Sequence, residues 1–299
     1  MKLWIIYPNV FENGGTSPRR MSEAAFSFNI DNEVMYSDYF HMQLDKGNET
    51  LYYKGKRVSK YPDVVFFRCY KYEIMNFLEK RGVKVINGVR GMSVVRNKFK
   101  THQIVDELGV LQPKFLYDKD GNFDFISKQL GVPFIMKNNI GSKGNNVYLV
   151  YSKEQLEEII SGHSNIDFMY QQYIKESKGS DYRLYIVGDK VVGCVNRVAG
   201  NDDFRANISQ GGVGLSCEVP YDIKKQSLLI AKTLGLEICS IDYLKKGNQY
   251  YFCEGNGVAG FLAFTRLGYK MQPVFMKYIS EKYELTKNNE TKNMLDVFK

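Results

Sequence analysis

The sequence predicts a mixed α/β fold, with an open-sheet module at the N-terminus followed by two α+β modules. Three observations lead there. Short apolar runs alternate with helical periodicities as far as Arg90. From Pro133 onward, strand-like runs are joined by Gly-rich turns instead of helices. A chain of 299 residues with 44% apolar and 25% charged residues can bury more than one core.

Taken in order, "KLWIIYP" reads as a buried strand. Ser17-Pro18 then starts a helix on which Met21, Ala24, Ala25 and Phe28 recur at helical spacing. "DVVFFRC" (Asp63 to Cys69), a helix from Tyr72 closed by Gly82, and "VKVIN" continue the alternation of a parallel sheet with helical crossovers, and the first module is set at residues 1–92. A central module, 93–178, opens on the helix "NKFKTHQIVDELG", stopped by Gly109 with Pro113 beyond. "FIMKN" and "VYLVYS" form a hairpin around "NIGSKGNN". Ser152 and Gln155 make a capping box for the helix "KEQLEEII", and "FMYQQYI" is the next strand. The third module, 179–299, begins with a hairpin turning at Gly188-Asp189 and a polar loop, "GNDDFRANISQGG". The helix "DIKKQSLLIAKTLG" follows, capped by Asp222 and stopped by Gly235, and the tail after Leu285 is expected to fray.

Charge and composition narrow the function. A formal charge of +8 attracts anions such as nucleotide phosphates and acidic peptides, but the basic residues are scattered, which disfavours nucleic acid as a partner. The opening apolar run is too short for a membrane span or a signal segment, so a cytoplasmic protein without a membrane partner is expected. His41, His102 and His163 lie far apart, with neither metal spacing nor a triad pattern. The five cysteines form no C-x-x-C pair and are expected to be reduced core thiols.

"SIDYLKKGNQYYFCEGN" sets carboxylates among apolar residues. Strand alternation puts Glu254 and Asn256 on one face, and with Asn248 at the hairpin tip Asp242 lies opposite Glu254. Such an oxygen-only cluster suits magnesium; a solvated hairpin face would carry the same residues. The glycines of "NIGSKGNN" let backbone N–H groups approach an anion beside Lys137, or they simply form a flexible hairpin tip. Arg205 can grip a phosphate or carboxylate bidentately, or decorate a long surface loop.

In this order the segments resemble the ATP-grasp superfamily, most closely its RimK-like carboxylate–amine ligases. The likeness runs from Asp63 to Phe261. It rests on "RNK", "PFIMK", "NIGSKGNNV", "QQYIKESKGSDYRLYIVGDKVV", "RVA", "DDFRANISQGG", "SIDYL" and "CEGN". The resemblance implies an ATP-grasp fold, an N-terminal α/β domain plus two α+β modules clamping ATP. Lys98 and Lys137 would neutralise phosphates under a lid with Gly141, Ser142 and Gly144. Gln172, Tyr173 and Ile174 would meet adenine, and Asp181 the ribose. Asp242, Glu254 and Asn256 would hold Mg2+, two ions by expectation, with Mn2+ as a substitute. Arg205 and Asn207 would meet the phosphoryl group, and with Arg197 they are the catalytic candidates.

The implied reaction joins a carboxylate to an amine through an acyl phosphate, with ATP and an amino acid, and an acidic peptide or protein as a further candidate partner. A phosphotransferase or a non-catalytic ATP-binding module is the alternative, and a homo-oligomer stays open. Two departures bear on the substrate. Val258-Ala259 stand where the family carries proline, and Asp202-Asp203 add negative charge that would favour a cationic acceptor.

Overall fold

The protein is described by a computed structural model covering residues 1–12, 15–141, 146–163, 165–200, 203–206 and 211–283. The chain divides into two compact units. Unit 1 comprises Met1–Met92, Leu236–Ile238 and Tyr269–Lys299; unit 2 comprises Ser93–Gly235 and Cys239–Gly268. No helix among the described residues is long and apolar enough to cross a membrane.

In unit 1, β1 (Lys2–Tyr7), α1 (Thr16–Ser27), β2 (Asp31–Tyr36), β3 (Phe40–Asp45), β4 (Asn48–Tyr53), β5 (Lys56–Arg57), β6 (Val64–Phe67), α2 (Tyr72–Glu79) and β7 (Lys84–Val85) follow in order. A parallel sheet runs β2-β1-β6-β7. Leu3 to Tyr7 and Val64 to Phe67 are all buried, because strands covered on both faces read as unbroken apolar runs. Asn87 ties the chain's return to this unit. Its Nδ2 donates to the Ile238 carbonyl at 2.8 Å, and its Oδ1 accepts from the Glu237 and Ile238 amides.

The helix α3 (Val89–Arg96) leads into unit 2, which contains α4 (Lys98–Asp106), β8 (Phe115–Leu116), α5 (Phe123–Leu130), β9 (Phe134–Asn138), β10 (Val147–Val150), α6 (Lys153–Ser161) and β11 (Phe168–Gln172). Next come β12 (Ser180–Val187), β13 (Lys190–Val198), β14 (Val213–Ser216), α7 (Tyr221–Leu234), β15 (Ile238–Lys246), β16 (Gln249–Asn256) and α8 (Leu262–Arg266). They build a four-stranded sheet, β10-β9-β11-β8, and a five-stranded sheet, β14-β13-β12-β15-β16. Phe134, Met136, Val150, Phe168 and Tyr170 of the first sheet pack with Ile126 and Leu130 of α5 and Leu156 of α6. That core takes alternate residues only, which leaves the other face of β9 and β11 for chemistry.

Some expectations need correction. Cys194 and Cys217 are paired as a disulfide, whereas Cys69, Cys239 and Cys253 are free thiols. The β13–β14 ladder pairs Val195 with Ser216, and one step further the same register brings Cys194 and Cys217 together, Cα atoms 5.4 Å apart. Their separation of 23 residues hid this. The helix α7 starts after Pro220 with no side-chain cap, so Asp222 sits in the first turn, where its charge favours the helix dipole. The strand expected over "VKVIN" is only two residues long, since Asn87 and Gly88 take positive φ. The tail expectation lies outside the described residues.

Candidate active site

Unit 2 contains a cavity of about 150 Å3 between its two sheets. Strand alternation selects its walls. On β9, Phe134 and Met136 enter the core while Ile135 and Lys137 line the cavity. The same rule on β11 sends Tyr170 inward and Gln171 to the cavity. Gln172 therefore faces away from the cavity, its side-chain oxygen accepting from the Lys114 amide at 3.4 Å, while Tyr173 and Ile174 line the space as expected. Ser177, another lining residue, bonds the amide of Lys245 at 2.6 Å and its carbonyl at 2.7 Å, which fixes the 173–177 segment to β15.

Two lysines stand at one end. Lys98 follows Asn97, which caps α4 by accepting from the Lys100 amide at 2.8 Å. The helix start is held to the chain after β9, where the Asn139 carbonyl and side-chain oxygen accept from the amides of Lys98 and Phe99. Lys98 Nζ lies 2.8 Å from the Gly141 carbonyl and 3.4 Å from Glu254. Lys137 is 5% exposed and stands 5.2 Å over the ring of Phe115, which stacks on His102. Burial lowers the pKa of its ammonium, and Lys98 adds to the effect. An anion would relieve this.

Carboxylates and guanidinium groups form a second charged cluster at the cavity. Asp181 and Arg197 are cross-strand partners on β12 and β13, joined by two bonds of 2.6 and 2.5 Å. Arg197 also donates to Asp242 at 2.9 Å, and Arg183 grips both oxygens of Asp242 at 2.8 and 2.6 Å. Burial pushes the Asp242 carboxyl up, but the charges of Arg183 and Arg197 outweigh it and hold its pKa below the usual value. The group is an anion.

Asp242 does pair with Glu254, though not because Asn248 is the tip. The turn is Gly247-Asn248, with Lys246 opposite Gln249 and Tyr243 opposite Phe252. A bulge then leaves Cys253 without a cross-strand partner and advances the register by one, so Asp242 meets Glu254. Cys253 and Glu254 consequently both line the cavity. Asn256 is not among the lining residues; its Nδ2 approaches Asp242 at 3.4 Å.

Arg205 lines the cavity from the loop before β14 and is held by Asp203 through its own amide at 2.8 Å and its Nη2 at 2.8 Å. The charge of Asp203 is thus engaged by Arg205. Ser142, Gly144, Asp202 and Asn207 lie outside the described residues; Gly141 is described and accepts from Lys98.

The cavity brings together Lys98, Lys137, Tyr173, Ile174, Asp181, Arg197, Arg205, Asp242 and Glu254. A family model for the RimK-like ATP-grasp domain matches residues 95–279. The chain belongs to the RimK-like ATP-grasp family. It is 31% identical over 252 residues to beta-citrylglutamate synthase B of Mus musculus, covering 79% of this chain and 65% of that protein. It is 27% identical over 286 residues to the probable alpha-L-glutamate ligase of Marinomonas sp. (strain MWYL1), covering 92% of this chain and 95% of that one. The ATP-grasp ligase PsnB, complexed with minimal precursor, matches with a TM-score of 0.72 at 17% identity over 94% of this chain and 99% of that one. The architecture is therefore the ATP-grasp fold. The chain spans just under two thirds of the length of the beta-citrylglutamate synthases it matches.

Asp242 and Glu254 offer only oxygen from adjacent strands, and Asn256 touches the first of them. Among the described residues no group of three or more His, Cys, Asp and Glu is placed to hold a metal. This pair suits a hard divalent cation that keeps water or phosphate oxygens as its other ligands. The residues fit magnesium.

Arg183, which holds Asp242, and the lining residues Gln171, Ser177 and Cys253 were not among the expected contacts. Arg183 shares a strand face with Asp181, so its spacing of two was a usable signal. Gln171 could have been chosen over Gln172 from the apolar phase of "FMYQQ". Ser177 and Cys253 carried no signal, because a hinge contact and a bulge set their places.

Proposed function

We propose that the chain is an ATP-dependent ligase that joins a carboxylate to an amine through an acyl phosphate. The observation that carries this is the charge layout of the unit 2 cavity, where Lys98, Lys137 and Arg205 line the same space as Asp242 and Glu254. Phosphoryl transfer asks a protein for positioning and charge compensation, and this site contains groups for both. Lys98 and Lys137 bind the nucleotide phosphates, and the 173–174 segment meets the base. Asp181 lies within reach of the ribose, while Arg205 orients the transferring phosphoryl group, a role shared with Arg197 and Asn207. The Mg2+ that Asp242, Glu254 and Asn256 would hold supplies positive charge to the phosphates, as two ions, with Mn2+ able to replace it.

In the first step an oxygen of the substrate carboxylate bonds to the γ-phosphorus, and the bond to the β-bridging oxygen breaks to release ADP. In the second, the amine nitrogen bonds to the acyl carbon, phosphate leaves, and the nitrogen gives up a proton. The curated relatives are named as glutamate-containing synthases and glutamate ligases, which supports glutamate as the amine substrate. The solved PsnB complexes contain a precursor peptide, which supports a peptide or protein as a further acceptor class. A cytoplasmic location accords with a need for ATP.

The reading is tested by incubating the protein with ATP, Mg2+, glutamate and a panel of carboxylates, measuring ADP release and amide product by mass spectrometry. Hydroxylamine should intercept the acyl phosphate as a hydroxamate. Arg205→Ala and Glu254→Ala should each lower turnover by on the order of a hundredfold or more without changing the circular dichroism spectrum. Wild-type turnover in either variant would remove the site assignment, and a phosphorylated product that persists with amine present would make the protein a phosphotransferase.

A further inference from the structure

Arg183 does not line the cavity, yet it grips both oxygens of Asp242, which does. We propose that Arg183 is a positioning residue that fixes the Asp242 carboxylate and, together with Arg197, masks its charge, so that a divalent cation is held tightly only when nucleotide phosphates accompany it. The inference rests on the ligase reading in taking Asp242 and Glu254 as cation ligands.

The geometry limits what Asp242 can offer. Its Oδ2 accepts from Arg183 Nη2 at 2.6 Å and Arg197 Nη2 at 2.9 Å, and Asn256 Nδ2 lies at 3.4 Å. Its Oδ1 accepts only from Arg183 Nε, at 2.8 Å, among these contacts. An ionised carboxylate has roughly four lone-pair directions, two on each oxygen. Oδ2 is saturated, and Oδ1 keeps one direction for a cation. The planar fork also resists rotation of the carboxylate, and Asp242 is 2% exposed. A lysine could supply the charge but not the fork.

Each carboxylate has a cationic partner before any ligand arrives. Asp181 is answered by Arg197, Asp242 by Arg183 and Arg197, and Glu254 by Lys98, with Lys137 in the same cavity. A bare cation entering such a site meets carboxylates already compensated and guanidinium groups in contact with them, so it gains little attraction. Nucleotide phosphates reverse the balance. They draw on Lys98 and Lys137 and bring the negative charge that a cation needs, so metal and nucleotide bind with positive coupling.

The test is Mn2+ binding, followed by the paramagnetic resonance signal of the free ion, with and without ADP. Wild-type protein should bind Mn2+ about tenfold or more tightly with ADP than without it. In Arg183→Met, nucleotide-free Mn2+ binding should tighten by about tenfold, because the carboxylate is unmasked, while kcat falls and the ATP KM changes little. Arg183→Lys keeps the charge and loses the fork, so its Mn2+ binding should remain ADP-dependent with kcat between those of the wild type and the methionine variant. A merely structural arginine would weaken metal binding when removed. Unchanged or weaker nucleotide-free binding in Arg183→Met overturns the proposal, as does equal Mn2+ affinity of the wild type with and without ADP. If Arg183→Met does not fold, the lysine variant decides: loss of ADP dependence there is contrary to the proposal. Absence of Mn2+ binding to the wild type even with ADP removes the cation site itself, a failure of the ligase reading that is distinguishable from a failure confined to Arg183.

Discussion

His102 shows how a buried side chain without a place in the chemistry supports residues that have one. It stacks on Phe115 at 3.5 Å and shares a 2.9 Å hydrogen bond with Gln112, while Lys137 stands over the same Phe115 ring. Burial drives its pKa well below the usual value, and the Lys137 charge lowers it further, so His102 is neutral. The unfolded chain takes up this proton first as the pH falls. Stability present above about pH 6.5 is therefore lost below it, by up to about 1.4 kcal/mol per pH unit until the folded pKa is reached. His102→Gln should flatten that acid limb in urea titrations run at about pH 7, 6 and 5. An unaltered pH slope would mean that the acid sensitivity resides elsewhere.

Among the elements, the loop bearing Arg205 depends on one glycine. Gly179 adopts φ +67°, and a β-carbon there would lie 2.9 Å from the Asp203 carbonyl. Its amide donates to the Phe204 carbonyl at 3.0 Å, and its own carbonyl accepts from the Ala199 amide at 2.8 Å. The start of the loop and the Phe204 backbone next to Arg205 are thereby fastened to the residue before β12. Gly179→Val forces a branched side chain into a left-handed conformation and moves the backbone next to Arg205. Turnover should fall by on the order of a hundredfold with circular dichroism retained, as expected when a catalytic group is displaced by about 1 Å. Normal turnover would show that the Arg205 loop is held independently of Gly179. The β15–β16 bulge has a similar part at the proposed cation site: without it, the turn register would bring Cys253 opposite Asp242 in place of Glu254.

In the molecule as a whole, the proposed nucleotide site belongs to unit 2, which contains every lining residue of the cavity. A ligand present at about a hundred times its dissociation constant stabilises the form that binds it by about 2.7 kcal/mol. ATP analogue and Mg2+ should therefore slow hydrogen exchange at amides of β9, β12 and β15 by up to about a hundredfold where exchange requires opening of the site. Protection gained only in β1 and β6 of unit 1 would place binding elsewhere. The pattern of elements was readable because each signal was local. Buried parallel strands read as "LWIIY" and "VVFF", the Gly188-Asp189 turn announces its hairpin, and Gly235 ends α7 with φ +73°. The hairpins of β3, β4 and β5 were equally open to this reading, since Lys46-Gly47 and Lys54-Gly55 both take positive φ at their turns.

Residue order was enough to place acids, lysines and glycines at spacings that fit a nucleotide site, because alternation along a strand and capping at a helix end act over a few residues. Partnership between distant strands is a different matter. That Arg183 holds Asp242 and that Cys194 meets Cys217 both depend on how one strand is laid beside another. The same holds for the single bulged residue that turns Glu254 toward Asp242. Such contacts are chosen by the packing of whole sheets, where a shift of one position exchanges the two faces, and that choice became visible only in three dimensions.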